Sequence, residues 1–159
     1  GVAVAIEPHP LTYQTLLRNV RLNKLENAVV LNLAAWNNDC ELKLYIGSAP
    51  GHHSAKIDGR LGWVKVKGRV MDHLFKELGL RRVDWIKIDV EGAECEVLLG
   101  LIETLKTYRP RMIIEVFNEN VEKVKRFMEK YGYGLVRISP FFGANTYFFC
   151  FPTSSKARI

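Results

Sequence analysis

Short apolar runs alternate with amphipathic stretches along this chain. Residues Val2–Ile6 form an apolar, β-branched run that ends at Glu7, which is typical of a buried strand. The next stretch, residues 11–24, has apolar side chains at helical spacing and predicts an amphipathic helix. The alternation continues to residue 151, so the pattern predicts repeated strand–helix units.

The remaining elements are predicted in the same way, strands from apolar runs or strict alternation and helices from apolar side chains at helical spacing. Predicted strands cover residues 28–35, 41–47, 63–70, 83–90, 111–117, 133–139 and 145–151, and predicted helices cover 93–105 and 119–131, with a short one capped by Asp72. Continuous apolar strands that alternate with helices are typical of a mostly parallel sheet with helices on both faces. The short turn at 140–144 makes the last two strands antiparallel to each other. We therefore predict one α/β domain over residues 1–152 and a polar tail at 153–159.

Composition argues against several classes of protein. The chain has 159 residues, 48% hydrophobic and 25% charged, which suits one globular domain with its own core. No apolar run approaches the roughly 20 residues that span a bilayer, so we expect no membrane partner. Three scattered cysteines and four histidines show no metal-ligand spacing, so we expect no metal, and free thiols in the reducing cytoplasm. The net charge of +6 is diffuse, which makes nucleic acid an unlikely partner.

Polar side chains collect where the predicted strands end. Glu7 ends the first strand, residues 32–35 end the second, and Asp89, Glu91 and Glu115 lie at the ends of two later strands. Burying unpaired carboxylates is costly, so these acids must be paired, solvated or used. Ligands of open parallel sheets bind beyond the carboxyl ends of the strands. We therefore expect these acids to lie at one ligand-binding edge.

Several of these residues have more than one interpretation. Glu7 can accept hydrogen bonds from both hydroxyls of a ribose, or it can be a solvated carboxylate at a strand end. Trp36 can stack on a purine or cap the core. Gly92 permits a tight turn, and Glu94 is interpreted as an acid that stabilises the first turn of the next helix. Asp89 lies too far before that helix to cap it, so it is the stronger candidate for chemistry.

Four ordered segments resemble one known family. They are residues 5–37 (AIEPHP to AAWN), 70–74 (VMDHL), 84–101 (DWIKID to LLGL) and 108–117 (YRPRMIIEVF). In order and spacing they are similar to the FkbM-type S-adenosylmethionine-dependent methyltransferases, over most of the chain from Val2 to about Asn118. The resemblance implies a Rossmann-like class I methyltransferase fold, with S-adenosyl-L-methionine as cofactor.

The same resemblance implies roles for particular residues. Glu7 would hold the ribose of the cofactor. The residues that would flank the adenine are Asn32, Ala34, Ala35 and Trp36. The residues that would lie beside the transferred methyl group and the substrate are Asp89 and Glu91, with Glu115 opposite them.

One feature of the family has no counterpart in this sequence. The family's domain opens with an earlier strand and a glycine-rich loop that holds the methionine end of the cofactor, and residues 1–159 contain no match to them. The chain also opens at Gly1 inside a predicted strand, so we expect an engineered product, a processed product or a truncated reading of a longer protein. A sheet without that strand would expose the edges of two neighbours, from which a homo-oligomer could form.

The resulting hypothesis is methyl transfer from S-adenosyl-L-methionine to a hydroxyl oxygen of a small molecule or sugar. A carboxylate such as Asp89 or Glu115 would act as the base. Residues 47–62 are expected to help select the methyl acceptor. The alternatives are an inactive fragment, a non-catalytic α/β binding or scaffold domain derived from such an enzyme, and, with less support, an RNA-modifying enzyme.

Overall fold

The computed structural model describes residues 1–47, 53–56, 61–138 and 145–153. The strands within these ranges are β1 (Ala3–Ile6), β2 (Ala28–Leu31), β3 (Ala34–Trp36), β4 (Cys40–Tyr45), β5 (Trp63–Val70), β6 (Trp85–Ile88), β7 (Arg111–Phe117), β8 (Tyr133–Arg137) and β9 (Asn145–Pro152). The helices are α1 (Pro10–Leu22), α2 (Met71–Glu77), α3 (Glu94–Leu99), α4 (Ile102–Thr107) and α5 (Val121–Lys130), with a 3-10 turn at Asn118–Asn120.

The described strands form three sheets. β1 and β2 form a parallel pair, and β5 lies between a parallel β3 and an antiparallel β4. The third sheet has the order β6-β7-β9-β8, in which β6 and β7 are parallel and the remaining pairs are antiparallel. The predicted α/β class and the antiparallel final pair are confirmed. The predictions for residues 140–144, the tail from 154 and most of the loop at 47–62 lie outside the described residues.

The main core lies on one face of the four-stranded sheet. Side chains of α3, α4 and α5 pack there against alternate residues of β7 and β9. The fully buried side chains of this core include Leu98, Leu105 and Met128 from the helices and Met112 and Ile114 from β7. The opposite face carries Trp85, which is 54% exposed and stacks on Phe149 at 5.9 Å between ring centroids. In the described part of the chain, no helix combines the length and apolar character needed to cross a bilayer.

Two predicted elements are each divided in the structure. The predicted strand 28–35 becomes β2 and β3, because Asn32 turns aside and its Nδ2 donates to the carbonyl oxygens of Glu7 and Pro8 at 2.8 and 2.9 Å. The predicted helix 93–105 breaks at residues 100–101 into α3 and α4. A Cβ atom on Gly100 would lie 2.2 Å from the carbonyl oxygen of Trp36, so glycine lets α3 approach the end of β3.

Asp72 caps a different helix from the one expected. The prediction that it caps α2 is wrong, since α2 begins at Met71 and has no side-chain cap. Its carboxylate instead accepts hydrogen bonds from the backbone N–H groups of Glu103 and Thr104, both at 2.8 Å, and from the Thr104 hydroxyl at 2.6 Å. Asp72 therefore satisfies the N-terminal N–H groups of α4, which lies 30 residues away along the chain.

Candidate functional site

A cleft of about 1080 Å³ separates β1 from β6. Residues 1–2 and 4–8 line one side of this cleft, and residues 79–91 line the other. Ala34, Ala35 and Trp36 of β3 also line it, as do apolar side chains from α2 and α3. Three of the four predicted adenine-flanking residues therefore face one large cavity. The side-chain amide of Asn32, the fourth, instead donates hydrogen bonds to the carbonyl oxygens of Glu7 and Pro8 in the turn after β1.

The carboxyl ends of β1 and β6 meet at one mouth of this cleft. The His53 ring stacks on the His9 ring just beyond β1, with 4.1 Å between centroids. The hydroxyl of the next residue, Ser54, donates to the carbonyl oxygen of Glu91 just beyond β6, at 2.6 Å. Residues 53–54 thus connect the two strand ends, and they were not anticipated because the contact joins parts of the chain far apart in sequence.

Glu7 stands at this mouth, at the end of β1. Its Oε1 accepts a hydrogen bond from the backbone N–H of His9 at 2.7 Å, which fixes the orientation of the carboxylate. Burial raises the pKa of Glu7 above its ordinary value, although this hydrogen bond and the nearby His9 oppose the shift. The carboxylate lines the cleft and can accept further hydrogen bonds from a ligand there.

Asp89 and Glu115 form a hydrogen-bonded pair of acids across β6 and β7. Burial raises the pKa of Glu115, and the hydrogen bond to Asp89 raises it further. Burial also acts to raise the pKa of Asp89, but hydrogen bonds from Glu115 and Lys87 outweigh it and lower that pKa. The Asp89 side chain is 39% exposed, whereas Glu115 is buried. Asp89 is therefore the member of the pair that a ligand can touch.

Two further polar residues support this pair and were missed from the sequence. The Nδ2 of Asn145 donates to Glu115 at 2.7 Å. Tyr147 lies opposite Glu115 in the β7–β9 ladder, and its hydrogen bond to that residue raises the pKa of Tyr147 to about 12. The signal was present in the segment NTYFFCF, whose polar residues begin an antiparallel strand beside the acidic end of β7.

The turn between β6 and α3 holds Glu91 in a constrained backbone. Glu91 and Gly92 have φ values of 49° and 96°, in the left-handed region. The predicted structural role of Glu94 agrees with its contacts: it is fully buried, and it accepts hydrogen bonds from the N–H of Gly92 and the Nδ2 of Asn120 at 3.1 and 2.8 Å. This anchoring places Glu91 on the lining of the cleft.

The site thus has a limited chemical repertoire. It offers carboxylates at the ends of β1 and β6, small and aromatic apolar residues from β3, and an acid pair beside them. Among the described residues, no three His, Cys, Asp or Glu side chains are grouped so as to hold a metal ion. An α/β domain with acids at adjacent strand ends is typical of proteins that bind a nucleoside-containing cofactor.

Comparison with known families identifies the family to which the chain belongs. Residues 1–135 match the model of the methyltransferase FkbM domain, so the chain belongs to this family. The prediction of the FkbM methyltransferase family is thereby confirmed. The individual roles assigned to Glu7, Asp89, Glu91 and Glu115 stay predictions, because the geometry brings them to one region without showing what they bind.

Individual relatives agree with the family assignment. The chain is 28% identical over 120 residues to Methyltransferase 1 of Beauveria bassiana, and 26% identical over 168 aligned residues to Methyltransferase sdnD of Sordaria araneosa. These alignments cover 62% and 84% of this chain but 48% and 65% of the two relatives. The crystal structure of an FkbM methyltransferase from Methylobacillus flagellatus superposes with a TM-score of 0.64 at 17% identity, over 93% of this chain and 36% of that one. This superposition supports the fold.

Proposed function

We propose that this domain takes part in methyl transfer from S-adenosyl-L-methionine to a hydroxyl oxygen of a small molecule or sugar. Family membership supports methyl transfer. The observation that carries the finer proposal is the acid pair, in which the exposed Asp89 is backed by the buried Glu115 beside a cleft large enough for a nucleoside.

The described residues suit the adenosine part of the cofactor. The Glu7 carboxylate would accept hydrogen bonds from the ribose hydroxyls, and Ala34, Ala35 and Trp36 would form an apolar wall for the adenine. When bound, the cofactor supplies an electrophilic methyl group on sulfur. Residues 1–159 contain no match to the family's glycine-rich loop, so the proposal assigns contacts to the adenosine part alone.

The acceptor hydroxyl would be positioned and deprotonated by the acid pair. As the new C–O bond forms and the C–S bond breaks, the hydroxyl proton would pass to Asp89, the more exposed carboxylate. Glu115 shares a hydrogen bond with Asp89 and can hold part of the added proton, while Asn145 and Tyr147 keep Glu115 in place. Glu91 lies on the cleft lining beside them and would contact the acceptor.

A second candidate is a non-catalytic binding domain. The observation that favours it is the cleft itself, which could hold a ligand whether or not methyl transfer takes place. For either candidate we propose a small-molecule ligand and a location in the cytoplasm. The cytoplasm is supported by Cys40, Cys95 and Cys150, all of which are free thiols.

The test is a turnover assay with methyl-labelled S-adenosyl-L-methionine and a panel of sugars and small hydroxyl compounds. Methyl transfer to oxygen, with release of S-adenosylhomocysteine, is the expected result. Binding of S-adenosylhomocysteine without transfer to any acceptor would favour the non-catalytic domain. Transfer to nitrogen or carbon acceptors alone would contradict the assignment of a hydroxyl.

A further inference from the structure

Ser54 lies between the mouth of the cleft and the turn after β6, and its hydroxyl has a defined direction. The residue is 4% exposed, and its backbone exchanges two hydrogen bonds with Tyr45 of β4, at 2.8 and 3.1 Å. Its Oγ accepts a hydrogen bond from the N–H of Lys56 at 3.1 Å and donates one to the carbonyl oxygen of Glu91 at 2.6 Å. Both the backbone and the hydroxyl of Ser54 are therefore fixed.

The short segment that carries Ser54 is also anchored on each side of it. On one side the His53 ring stacks on the buried His9, just beyond β1. On the other side the Lys56 ammonium group pairs with the Glu96 carboxylate of α3 at 2.5 Å. Because these contacts reach elements on both sides of the mouth, the hydroxyl of Ser54 is a fixed point against which the turn after β6 can be held.

Glu91, which accepts the hydrogen bond, has an unusual backbone conformation. Its φ of 49° lies in the left-handed region, which is disfavoured for a residue with a Cβ atom. Gly92 follows with a φ of 96°, so two successive residues of the turn have positive φ. Such a conformation persists only where surrounding contacts hold it, and it is common at functional sites. The hydroxyl of Ser54 supplies one such contact.

The other side of this turn is held through Gly92. Its N–H donates to the Glu94 carboxylate at 3.1 Å, and its carbonyl oxygen accepts a hydrogen bond from the Nδ2 of Asn120 at 3.2 Å. Both partners are buried, so these contacts tie the turn to the core. Ser54 contacts the same turn from the side of the mouth, which leaves Glu91 held between the core and the cleft.

The turn determines where two of the cleft carboxylates lie. Asp89 and Glu91 both line the cleft, and only Val90 separates them along the chain. If residue 91 left the left-handed region, the chain would leave β6 in another direction and both carboxylates would move. A misplacement of about 1 Å can lower a rate by roughly 10²-fold. The hydroxyl of Ser54 can therefore affect a reaction in the cleft through these acids.

We propose that Ser54 is a positioning residue of the site: its hydroxyl keeps Glu91 in the left-handed region and so holds Asp89 and Glu91 in place. The effect on methyl transfer rests on the proposed function, whereas the hold on the turn can be measured without it. Ser54 is assigned no contact with the cofactor or the acceptor.

The first test measures the conformation of Glu91 in the full chain by NMR. A residue with positive φ has a short distance between its own amide and α protons, which gives a strong nuclear Overhauser effect. We expect this strong effect in the unaltered chain and in Ser54→Thr, which keeps the hydroxyl. It should weaken in Ser54→Ala and in Ser54→Cys, whose thiol is only a weak donor of nearly the same size. An unchanged effect at Glu91 in both Ser54→Ala and Ser54→Cys would overturn the proposal.

The second test separates binding from turnover, with the acceptor found in the turnover assay. Ser54→Ala should lower kcat by about tenfold or more, because the acids are displaced, and Ser54→Thr should restore most of it. The affinity for S-adenosylhomocysteine should stay within about twofold, because adenosine is assigned to contacts on β1 and β3. The matched control is Thr15→Ala, which removes a hydroxyl that donates to the Leu11 carbonyl at 3.1 Å on the exposed surface of α1. It should leave kcat unchanged.

Two kinetic results would also overturn the proposal. One is an equal loss of kcat in Ser54→Thr and Ser54→Ala, since the hydroxyl would then not be the group that matters. The other is a loss of affinity for S-adenosylhomocysteine as large as the loss of kcat, which would indicate general damage to the fold. If the unaltered chain transfers no methyl group, the proposed function fails, and the NMR result alone decides whether Ser54 holds the turn.

Discussion

Asp89 and Glu115 are two neighbouring acids whose surroundings move their pKa values in opposite directions. The pKa of the buried Glu115 is raised. The more exposed Asp89 is stabilised as a carboxylate by hydrogen bonds from Glu115 and Lys87, so its pKa is lowered. Of the two acids, Glu115 therefore binds a proton more readily. Asp89 is the more exposed carboxylate of the pair.

The first prediction concerns the roles within this pair. Asp89→Asn should lower turnover by about 10²–10⁴-fold, because the base in contact with the hydroxyl is lost. Glu115→Gln should have a smaller effect on turnover and should shift the pH dependence of the rate, because it acts on Asp89 through a hydrogen bond. Glu129→Gln, on the exposed surface of α5, is the matched control and should leave the rate unchanged. Unchanged turnover of Asp89→Asn would remove this residue from the base role.

The second prediction concerns the effect of Glu7 on the free energy of unfolding of the chain. The folded chain holds the proton of Glu7 more tightly than the unfolded chain, since its pKa is raised above the ordinary 4.5, chiefly by burial. Stability from this group is therefore present at low pH and is lost as the pH rises through the raised pKa. Glu7→Gln should raise the free energy of unfolding at pH 7 by less than about 1 kcal/mol, since the carboxylate is partly solvated. Denaturant unfolding at pH 7 and pH 4 measures this, and a gain equal at both pH values would contradict it.

Among single residues, those interpreted through local chemistry were foreseen, and those defined by distant contacts were not. Glu94 supports the turn before α3 as its position in the sequence indicated. The cap formed by Asp72 reaches α4, and Tyr147 meets Glu115 through strand register. Both contacts depend on how separate elements pack, which the sequence pattern does not encode locally.

At the scale of elements, the existence of most strands and helices could be predicted, but their breaks could not. Hydrophobic patterning located β1, β4 to β9 and most helices, since each has a continuous apolar run, an alternation of period two or a period of 3.6. The break between α3 and α4 has a tertiary cause, the approach of Gly100 to the Trp36 carbonyl. The separation of β2 from β3 likewise follows from the contact of Asn32 with the turn after β1.

The third prediction tests this tertiary cause. Gly100→Ala places a methyl group 2.2 Å from a backbone oxygen, which cannot move without shifting β3. We expect a loss of about 1–3 kcal/mol in the free energy of unfolding, as for other overpacked positions. Gly1→Ala is the control, because its Cβ atom would meet nothing within 4 Å. Equal stability of the two variants in denaturant unfolding would show that α3 does not approach β3 this closely.

At the scale of the whole molecule, the family and the fold class were accessible from ordered sequence segments, whereas the cleft was accessible only in part. β1 and β6, whose ends carry Glu7, Asp89 and Glu91, line opposite sides of one cavity. Its closure at one mouth by residues 53–54 depends on a loop whose sequence has no strong periodicity. The cleft is also where the residues proposed to contact the cofactor lie.

We propose that Glu7 at the mouth of this cleft holds an adenosine-containing ligand. Calorimetric titration with S-adenosylhomocysteine, on the unaltered chain, Glu7→Gln and the surface control Glu129→Gln, measures this contact. We predict saturable 1:1 binding that Glu7→Gln weakens by about tenfold or more, the effect of losing a hydrogen bond to a charged group, while Glu129→Gln binds like the unaltered chain. Absence of binding, or equal affinity of Glu7→Gln and the unaltered chain, would contradict the account.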